Sequence, residues 1–443
     1  MDERIQLHGR RVAVLGAGRT GLATVRYLTR HGTDVLLSDS RPIPDDVKIE
    51  LNQAGISWEE RGHSEAVLSA DWIVPSPGIA PNAAVLRRAR RHALPIIGEL
   101  ELAYRLCPSD RIVAVTGTVG KTTTTHLIAQ LLEHHGHSVE TAGNIGTPFI
   151  ETLERVNEET IVVLEVSSFQ LEYVERFRPH VGVLTRFAPH HLDRHGTPAR
   201  YFQAKSRLFR NQAERDTAIV HHEAPSLPHL PSIRQSFSGD NNVDDDRWPF
   251  HQRENLAAAL AAARWVDANV SLESFDVQRA TQLPHRLETL AQIDGTRFIN
   301  DSKSTTPTAT LAALHAFPNA SLALVLGGRS QGEDLQALTD AIAKRRPDVV
   351  YLMGDARPRW MRRLRAVGCQ RLRPIATFDQ LMRIVQRMDL DVCLFSPGAA
   401  SFDQFHSYTE RGEQFKAAVL GHAQTRVTPM GDQAGPMLER RSF

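Results

Sequence analysis

Short apolar runs, each broken by a glycine-containing turn and followed by a helical stretch, recur along this chain, and that alternation limits its fold more than any other feature. RVAVLGAG ends in a glycine turn and leads into LATVRYLTRHG, an amphipathic helix closed by Gly32; RIVAVTGTVGKTTTTHLIAQLLEHHG repeats the strand, turn and helix order a hundred residues later. VLLSDSR, WIVPSPGIA, IVVLEVSSF, VGVLTRF, RFINDSK, LALVLGG, VVYLMGD and VCLFSPG are further strand-to-loop units. Near-continuous apolar strands bury both faces, and strands alternating with helices make parallel sheets with helical crossovers. The fold class is therefore α/β.

A length of 443 residues allows two to four domains of ordinary size, and the pattern groups into three. The first block is 1–107, the second 108–282 and the third 283–424, followed by an aperiodic tail, 425–443. The Pro-, Asp-, Asn- and Ser-rich stretch 225–250 reads as a surface excursion or a poorly ordered insert. With 41% hydrophobic and 23% charged residues the chain is not a disordered one. Its 52 Lys and Arg against 51 Asp and Glu leave a net charge of +1, which offers no global footprint for nucleic acid or an anionic membrane. Cys107, Cys369 and Cys393 are far apart and form no CxxC pair, so the reading is a reducing cytoplasm without a disulfide framework or structural zinc. The charged start MDERIQLHGRR lacks the apolar segment of a signal peptide, and no apolar run is long enough for a membrane span.

Two glycine turns carry the strongest chemistry. GAGRTG, Gly16–Gly21, follows a strand and opens a helix, and Asp39 stands at the end of the next strand as a ribose-binding acid would. NAD fits such a turn, and so does another nucleotide diphosphate. GTVGKTT, Gly117–Thr123, is more specific: its backbone N–H groups can surround phosphate oxygens, Lys121 adds charge for the β- and γ-phosphates, and Thr122 can ligate Mg²⁺. It lacks the upstream glycine of the full motif, which keeps an ordinary Gly-Lys turn as the alternative. Glu165, at the carboxyl end of an apolar strand, completes an oxygen-donor pair with Thr122 or is merely solvated. HHLDRHG at His190–Gly196 is either a surface cluster or a source of ligands. In the third block NDSKSTTPTAT, LGGRSQGED and SPGAASFDQF each follow a strand, which suggests one binding face.

Taken in order, GTVGKTT, GNIGTP, LEVSSFQLE, HHLDRHG, YFQAKSRLF, PHRLE, NDSKSTT, LGG and SPGAASFDQFHSYTERGEQF span about residues 8–420, and this ordered set strongly resembles the Mur ligase family. The resemblance implies a Rossmann-like N-terminal domain, a P-loop ATPase-like central domain and a Rossmann-like C-terminal domain. It implies that the chain is an enzyme, an ATP-dependent amide-forming ligase of peptidoglycan precursor synthesis, joining D-glutamate to UDP-N-acetylmuramoyl-L-alanine through an acyl phosphate. It places uridine, not NAD, at the first glycine turn, with Arg19, Thr20, Asp39, Ser40, Arg41, Ser76 and Gly78 around it. Asn144, Ser167 and Gln170 match positions that meet the sugar-peptide.

For ATP the resemblance implies Gly117, Thr118, Val119, Gly120, Lys121, Thr122 and Thr123, with Asn255 at adenine and Arg286 and Asp301 reaching in from the third domain. One Mg²⁺ falls to Thr122 and Glu165, and a second to Glu165, His191 and a carbamylated Lys205. Imidazole prefers softer metals, so Mn²⁺ is implied as a substitute. Lys303, Thr305, Ser401, Phe402 and Tyr408 match the pocket of the incoming glutamate. The family pattern also implies a cytoplasmic monomer.

Departures from that pattern are Val119 before Gly120, His190 in place of an acid, Arg186 or Ala188 in place of Asn or Thr, Gln252 in HQREN, and Gln331 where a basic residue is usual. The central domain is short around 222–250. Two other readings follow: a relative adding another amino acid such as L-glutamate, or one that binds the UDP-sugar-peptide without turnover. The set Lys121, Glu165, His191 and Lys205 argues against the second.

Overall fold

The computed structural model describes residues 8–227, 232–238, 250–277, 284–329, 334–405 and 407–424, without the side chains of residues 193, 250–252 and 308. Three sheets follow one another along the chain. The first is fully parallel: β1 (Arg11–Leu15), β2 (Asp34–Ser38), β3 (Ser57–Glu59) and β4 (Trp72–Pro75) lie in the order β3-β2-β1-β4. The second, also parallel throughout, contains β5 (Ile112–Thr116), β6 (Val139–Gly143), β7 (Ile161–Glu165), β8 (Val181–Leu184), β9 (Thr217–His221) and β10 (Ile233–Phe237), ordered β10-β9-β8-β5-β7-β6.

The third sheet holds β11 (Glu288–Ile293), β12 (Thr296–Asn300), β13 (Leu322–Leu326), β14 (Val349–Leu352), β15 (Leu372–Pro374) and β16 (Val392–Phe395). Their order is β11-β12-β16-β13-β14-β15, with β11 alone antiparallel to its neighbour. The central strands of these sheets are the continuous apolar runs of the sequence, and β5, β7, β8 and β13 are buried at every position. Branched and apolar side chains on both faces suit strands covered by helices above and below.

The chain divides into two compact units, 1–281 and 282–443. Within the first, the β1–β4 and β5–β10 sheets share one apolar core that runs from Val12 through Leu102, Phe149 and Phe177 to Leu227. Glu101, on the helix Glu99–Leu106, ties the two layers. It is fully buried; its carboxylate accepts the N–H groups of Glu175, Arg176 and Phe177 at 2.8–3.1 Å and Arg105 Nε at 2.6 Å. Glu101→Ala strands those backbone donors and leaves Arg105 to its bond with the exposed Glu175, so the unfolding free energy is expected to fall by about 3 kcal/mol. Urea titration measures this, and a midpoint unchanged from wild type would contradict the assignment.

The 225–250 stretch is corrected by the structure. Part of it is not an excursion, because Ile233–Phe237 forms β10, an edge strand pairing with β9. Four of its five residues are exposed, so the apolar signature of a buried strand never appears. Residues 239–249, the tail 425–443 and Gln331 lie outside the described residues. No described helix is long and apolar enough to cross a membrane.

Candidate nucleotide and acyl-transfer site

The parallel second sheet brings its chemistry to the carboxyl ends of β5, β7 and β8, where open sheets place ligands. After β5 the chain turns through Gly117–Gly120 into the helix Lys121–His134. Both glycines are obligatory. Gly117 has φ +150° and a Cβ there would lie 1.9 Å from Thr185 Oγ1; Gly120 has φ +89° and its Cβ would lie 2.2 Å from Asn255 Oδ1. The loop is thus clasped between the exit of β8 and the helix Phe250–Val266. Thr185 Oγ1 donates to Val119 O at 2.7 Å, and Thr118 Oγ1 exchanges hydrogen bonds with Ala188 at 2.9 and 3.0 Å. Lys121 Nζ folds back onto Thr118 O at 3.2 Å. Val119 is exposed and Thr123 buried.

Behind the loop, Thr122 Oγ1 donates to Glu165 Oε2 at 2.7 Å, and Asn144 Nδ2 donates to Glu165 Oε1 at 3.1 Å. Glu165 is 2% exposed, so this carboxylate is built into the sheet end, not solvated. Lys205 is equally buried; its Nζ donates to Gly117 O at 2.6 Å and lies 4.6 Å from the centre of the Tyr201 ring. Burial above all, then the charge of Lys121, pulls the Lys205 amine down to about 6, against the opposing pull of Glu165. His191 takes a left-handed backbone, φ 52°, and its ring stands 4.9 Å from Phe169 and 6.1 Å from Tyr201. Thr122, Glu165, Lys121 and Lys205 are therefore brought together directly, and His191 approaches them through Tyr201. His190 packs edge-on against His191.

Ser167 and Gln170 are engaged with each other in a capping box on the helix Ser168–Leu171. Around the first glycine turn, Asp39 is buried and accepts Ala17 N–H at 2.7 Å and Arg41 N–H at 2.8 Å, locking the β1 and β2 exits together. Ser40 and Arg41 are exposed, Ser76 Oγ donates to Gly16 O at 3.3 Å, and Thr20 O accepts from Thr24 Oγ1. Arg19 Nη2 reaches Asn144 O at 3.4 Å, linking this turn to the Glu165 group. Gly78 O accepts from Arg194, which also pairs with Glu172 and stacks on Phe169. Nothing in the sequence singled out Arg194, although it lies inside HHLDRHG.

In the second unit, Asp301 is buried and accepts from Ser304 at 2.5 Å, Ser396 at 2.7 Å and Leu287 N–H at 3.2 Å. Burial pushes its carboxyl up to about 6 despite those bonds and the nearby Arg286. Lys303 N donates to His285 O and Thr305 N to Lys303 O, so the NDSK loop is tightly turned. Ser401 is buried, Phe402 is exposed, and Tyr408 O accepts from Ser302 Oγ at 2.8 Å. The residue missed here is Arg411: 1% exposed, it donates to Ser302 Oγ, Ser302 O and Ala399 O at 2.8–3.0 Å, binding the NDSK and SPGAA loops together. Its place in ERG, within a quoted segment, was the only signal.

A glycine loop of the kind that cradles phosphates, backed by a carboxylate and a buried amine at one end of a parallel sheet, defines a P-loop α/β protein. Residues 10–98 match the Mur ligase MurD-like N-terminal domain, 115–245 the Mur ligase middle domain and 285–398 the Mur ligase glutamate ligase domain. The chain belongs to the Mur ligase family. It is 35% identical over 446 residues to the UDP-N-acetylmuramoylalanine--D-glutamate ligase of Pelotomaculum thermopropionicum, covering 93% of this chain and 97% of that one. It is 36% identical over 425 residues to the protein of the same name from Desulfovibrio desulfuricans, covering 93% and 96%. Among solved structures, the UDP-N-acetylmuramate-alanine ligase of Thermotoga maritima superposes with a TM-score of 0.55 at 19% identity, covering 94% of this chain and all of that one. The MurF ligase of the same organism, in complex with ADP, gives 0.55 at 17% identity, covering 94% and 96%. These two establish the three-domain fold alone.

Proposed function

We propose that this protein is the ATP-dependent ligase that joins D-glutamate to UDP-N-acetylmuramoyl-L-alanine in peptidoglycan precursor synthesis. The observation that carries the reading is the near-full-length similarity to the two D-glutamate ligases; the Thr122–Glu165–Lys121–Lys205 group gives it a mechanism. The alanyl carboxylate oxygen attacks the γ-phosphorus of ATP and ADP leaves. The amine of glutamate then attacks the resulting carbonyl, loses a proton, and inorganic phosphate departs with the acyl oxygen. Such transfer depends on positioning and charge neutralisation more than on covalent help.

Lys121 would swing from Thr118 O to the β- and γ-phosphates, while backbone N–H groups of Gly117–Thr123 hold them. Asn255, against the loop at Gly120, would meet adenine, and Arg286 and Asp301 are the nucleotide contacts that the family pattern implies for the third domain. Arg19, Thr20, Asp39, Ser40, Arg41, Ser76 and Gly78 would hold the uridine end, and Asn144, Ser167 and Gln170 the sugar-peptide. Lys303, Thr305, Ser401, Phe402 and Tyr408 would take the glutamate. A lysine and hydroxyl donors suit a dicarboxylic amino acid.

The donor set also fits magnesium. Thr122 and Glu165 offer hard oxygens, the ligand type magnesium takes alongside phosphate and water. Held at about 6, the Lys205 amine is mostly neutral and gives a cation little to bind; carbamylation would convert it to an anion and give His191 and Glu165 a third partner. Bound magnesium would neutralise charge developing on the transferring phosphoryl group. An enzyme that consumes a UDP-sugar and ATP would work in the cytoplasm. The test is phosphate release from UDP-N-acetylmuramoyl-L-alanine, ATP and magnesium with D-glutamate, L-glutamate or no amino acid. Release with D-glutamate only is expected. Release with L-glutamate instead would make this a ligase of different specificity.

A further inference from the structure

Arg186 stands at the exit of β8 with its carbonyl hydrogen-bonded to the phosphate loop: Thr118 N donates to Arg186 O at 2.9 Å and Val119 N at 3.3 Å. Its backbone is thus one hydrogen bond from the cradle. Its guanidinium donates through Nη2 to Glu223 Oε2 at 2.9 Å and pairs through Nη1 with Glu254 Oε2 at 3.7 Å. The two carboxylates differ. Glu254 is buried and fixed, its other oxygen bonded to His221 Nε2 at 2.8 Å, and His221 Nδ1 accepts the N–H of Glu223 at 3.2 Å. Glu223 is about half exposed, as is the arginine. Glu254 also immediately precedes Asn255, which closes the opposite side of the glycine loop at Gly120. The arginine therefore joins the glycine loop, through its carbonyl, to the first turns of the helix Phe250–Val266, through its guanidinium.

We propose that Arg186 is a second phosphate-directed cation of the nucleotide site, parked between Glu223 and Glu254 until a bound polyphosphate competes for its guanidinium. This deepens the ATP reading above and rests on it. A half-exposed ion pair holds its partners weakly, whereas guanidinium and phosphate form short, bidentate, charge-assisted bonds. Polyphosphate in the loop offers several anionic oxygens where the exposed Glu223 offers one carboxylate. Exchange costs the fold little, because Glu254 keeps His221. A role as a mere strut between β8 and the loop makes a different prediction: it would weaken every ligand of the site alike and would need Glu223 intact.

The experiment is calorimetric titration of the full chain and its variants with ATP, ADP, AMP and adenosine, alongside steady-state kinetics. Arg186→Ala is expected to weaken ATP about tenfold or more, ADP less, and adenosine not at all, with Arg186→Lys recovering part of the loss. Glu223→Gln frees the arginine and is expected to tighten ATP by about twofold to fivefold, a gain that a strut cannot give. Equal losses for ATP and adenosine in Arg186→Ala, unchanged ATP affinity in that variant, or weaker ATP binding in Glu223→Gln would each overturn the proposal. Should Arg186→Ala fail to fold, the Lys and Gln variants decide alone. Wild-type protein that binds no ATP would remove the nucleotide reading itself, a result separate from any variant.

Discussion

Replacing Lys205 by alanine is expected to lower kcat on the order of 10²-fold, and a short carboxylate such as acetate or propionate is expected to restore part of the rate. The argument begins with the environment of the amine. Its hydrogen bond is to a neutral carbonyl, Gly117 O, its neighbour is the Tyr201 ring, and it shares the pocket with the Lys121 charge. A lysine held at about 6 is mostly uncharged at neutral pH, and the uncharged amine is the form that adds to CO₂, giving a carbamate and releasing one proton. The truncated side chain leaves a hole in which a free carboxylate can stand beside Glu165. Full activity in the unrescued variant would sink the carbamate.

The same residue sets a stability signature in CO₂-free buffer. Because the folded value, about 6, lies below the ordinary 10.5, the unfolded chain carries a proton between those limits that the folded chain lacks, so stability rises with pH across that window. In Lys205→Met the rise should flatten, which Tm against pH reports.

The three-domain α/β fold was legible because its central strands are covered on both faces and so advertise themselves as apolar runs. What escaped were mostly strands whose burial is partial, although β9, buried at every position, also went unread. β3 and β15 have three residues each, β10 is exposed at four of five positions, and the antiparallel β11 is buried only at its two end residues. Within the candidate site, the sequence was legible where a motif forces a backbone conformation, as at Gly117 and Gly120. It was not legible where function depends on what a side chain meets across the fold. Arg411 looks like an ordinary charged helix residue until its fork is seen spent on Ser302 and Ala399. Arg186 looked like a departure from a pattern, and only the positions of Glu223, Glu254 and the loop amides give it a place. Pairing across many residues of separation is information that a single sequence does not carry.

Lys121→Met is expected to cut kcat/KM for ATP on the order of 10³-fold, with no rescue by carboxylates. The loop N–H groups orient phosphate but carry only partial charge, whereas the ammonium of the half-buried Lys121 supplies a full one at a clasped turn, where it is worth more than in open water. The substitution has a second consequence, because the Lys121 charge is one of the causes that lower Lys205. Removing it raises the Lys205 value, narrows the pH window over which stability climbs, and leaves less uncharged amine to react with CO₂ at neutral pH. Some of the loss should therefore be shared with Lys205→Ala, and the double variant should be less impaired than the product of the two single effects, as for residues that act as a unit. Steady-state kinetics of the three variants at saturating bicarbonate measures that coupling. Strict multiplicativity would separate the two lysines into independent roles, and a Lys121→Met enzyme within a few-fold of wild type would place the phosphate-directed charge elsewhere.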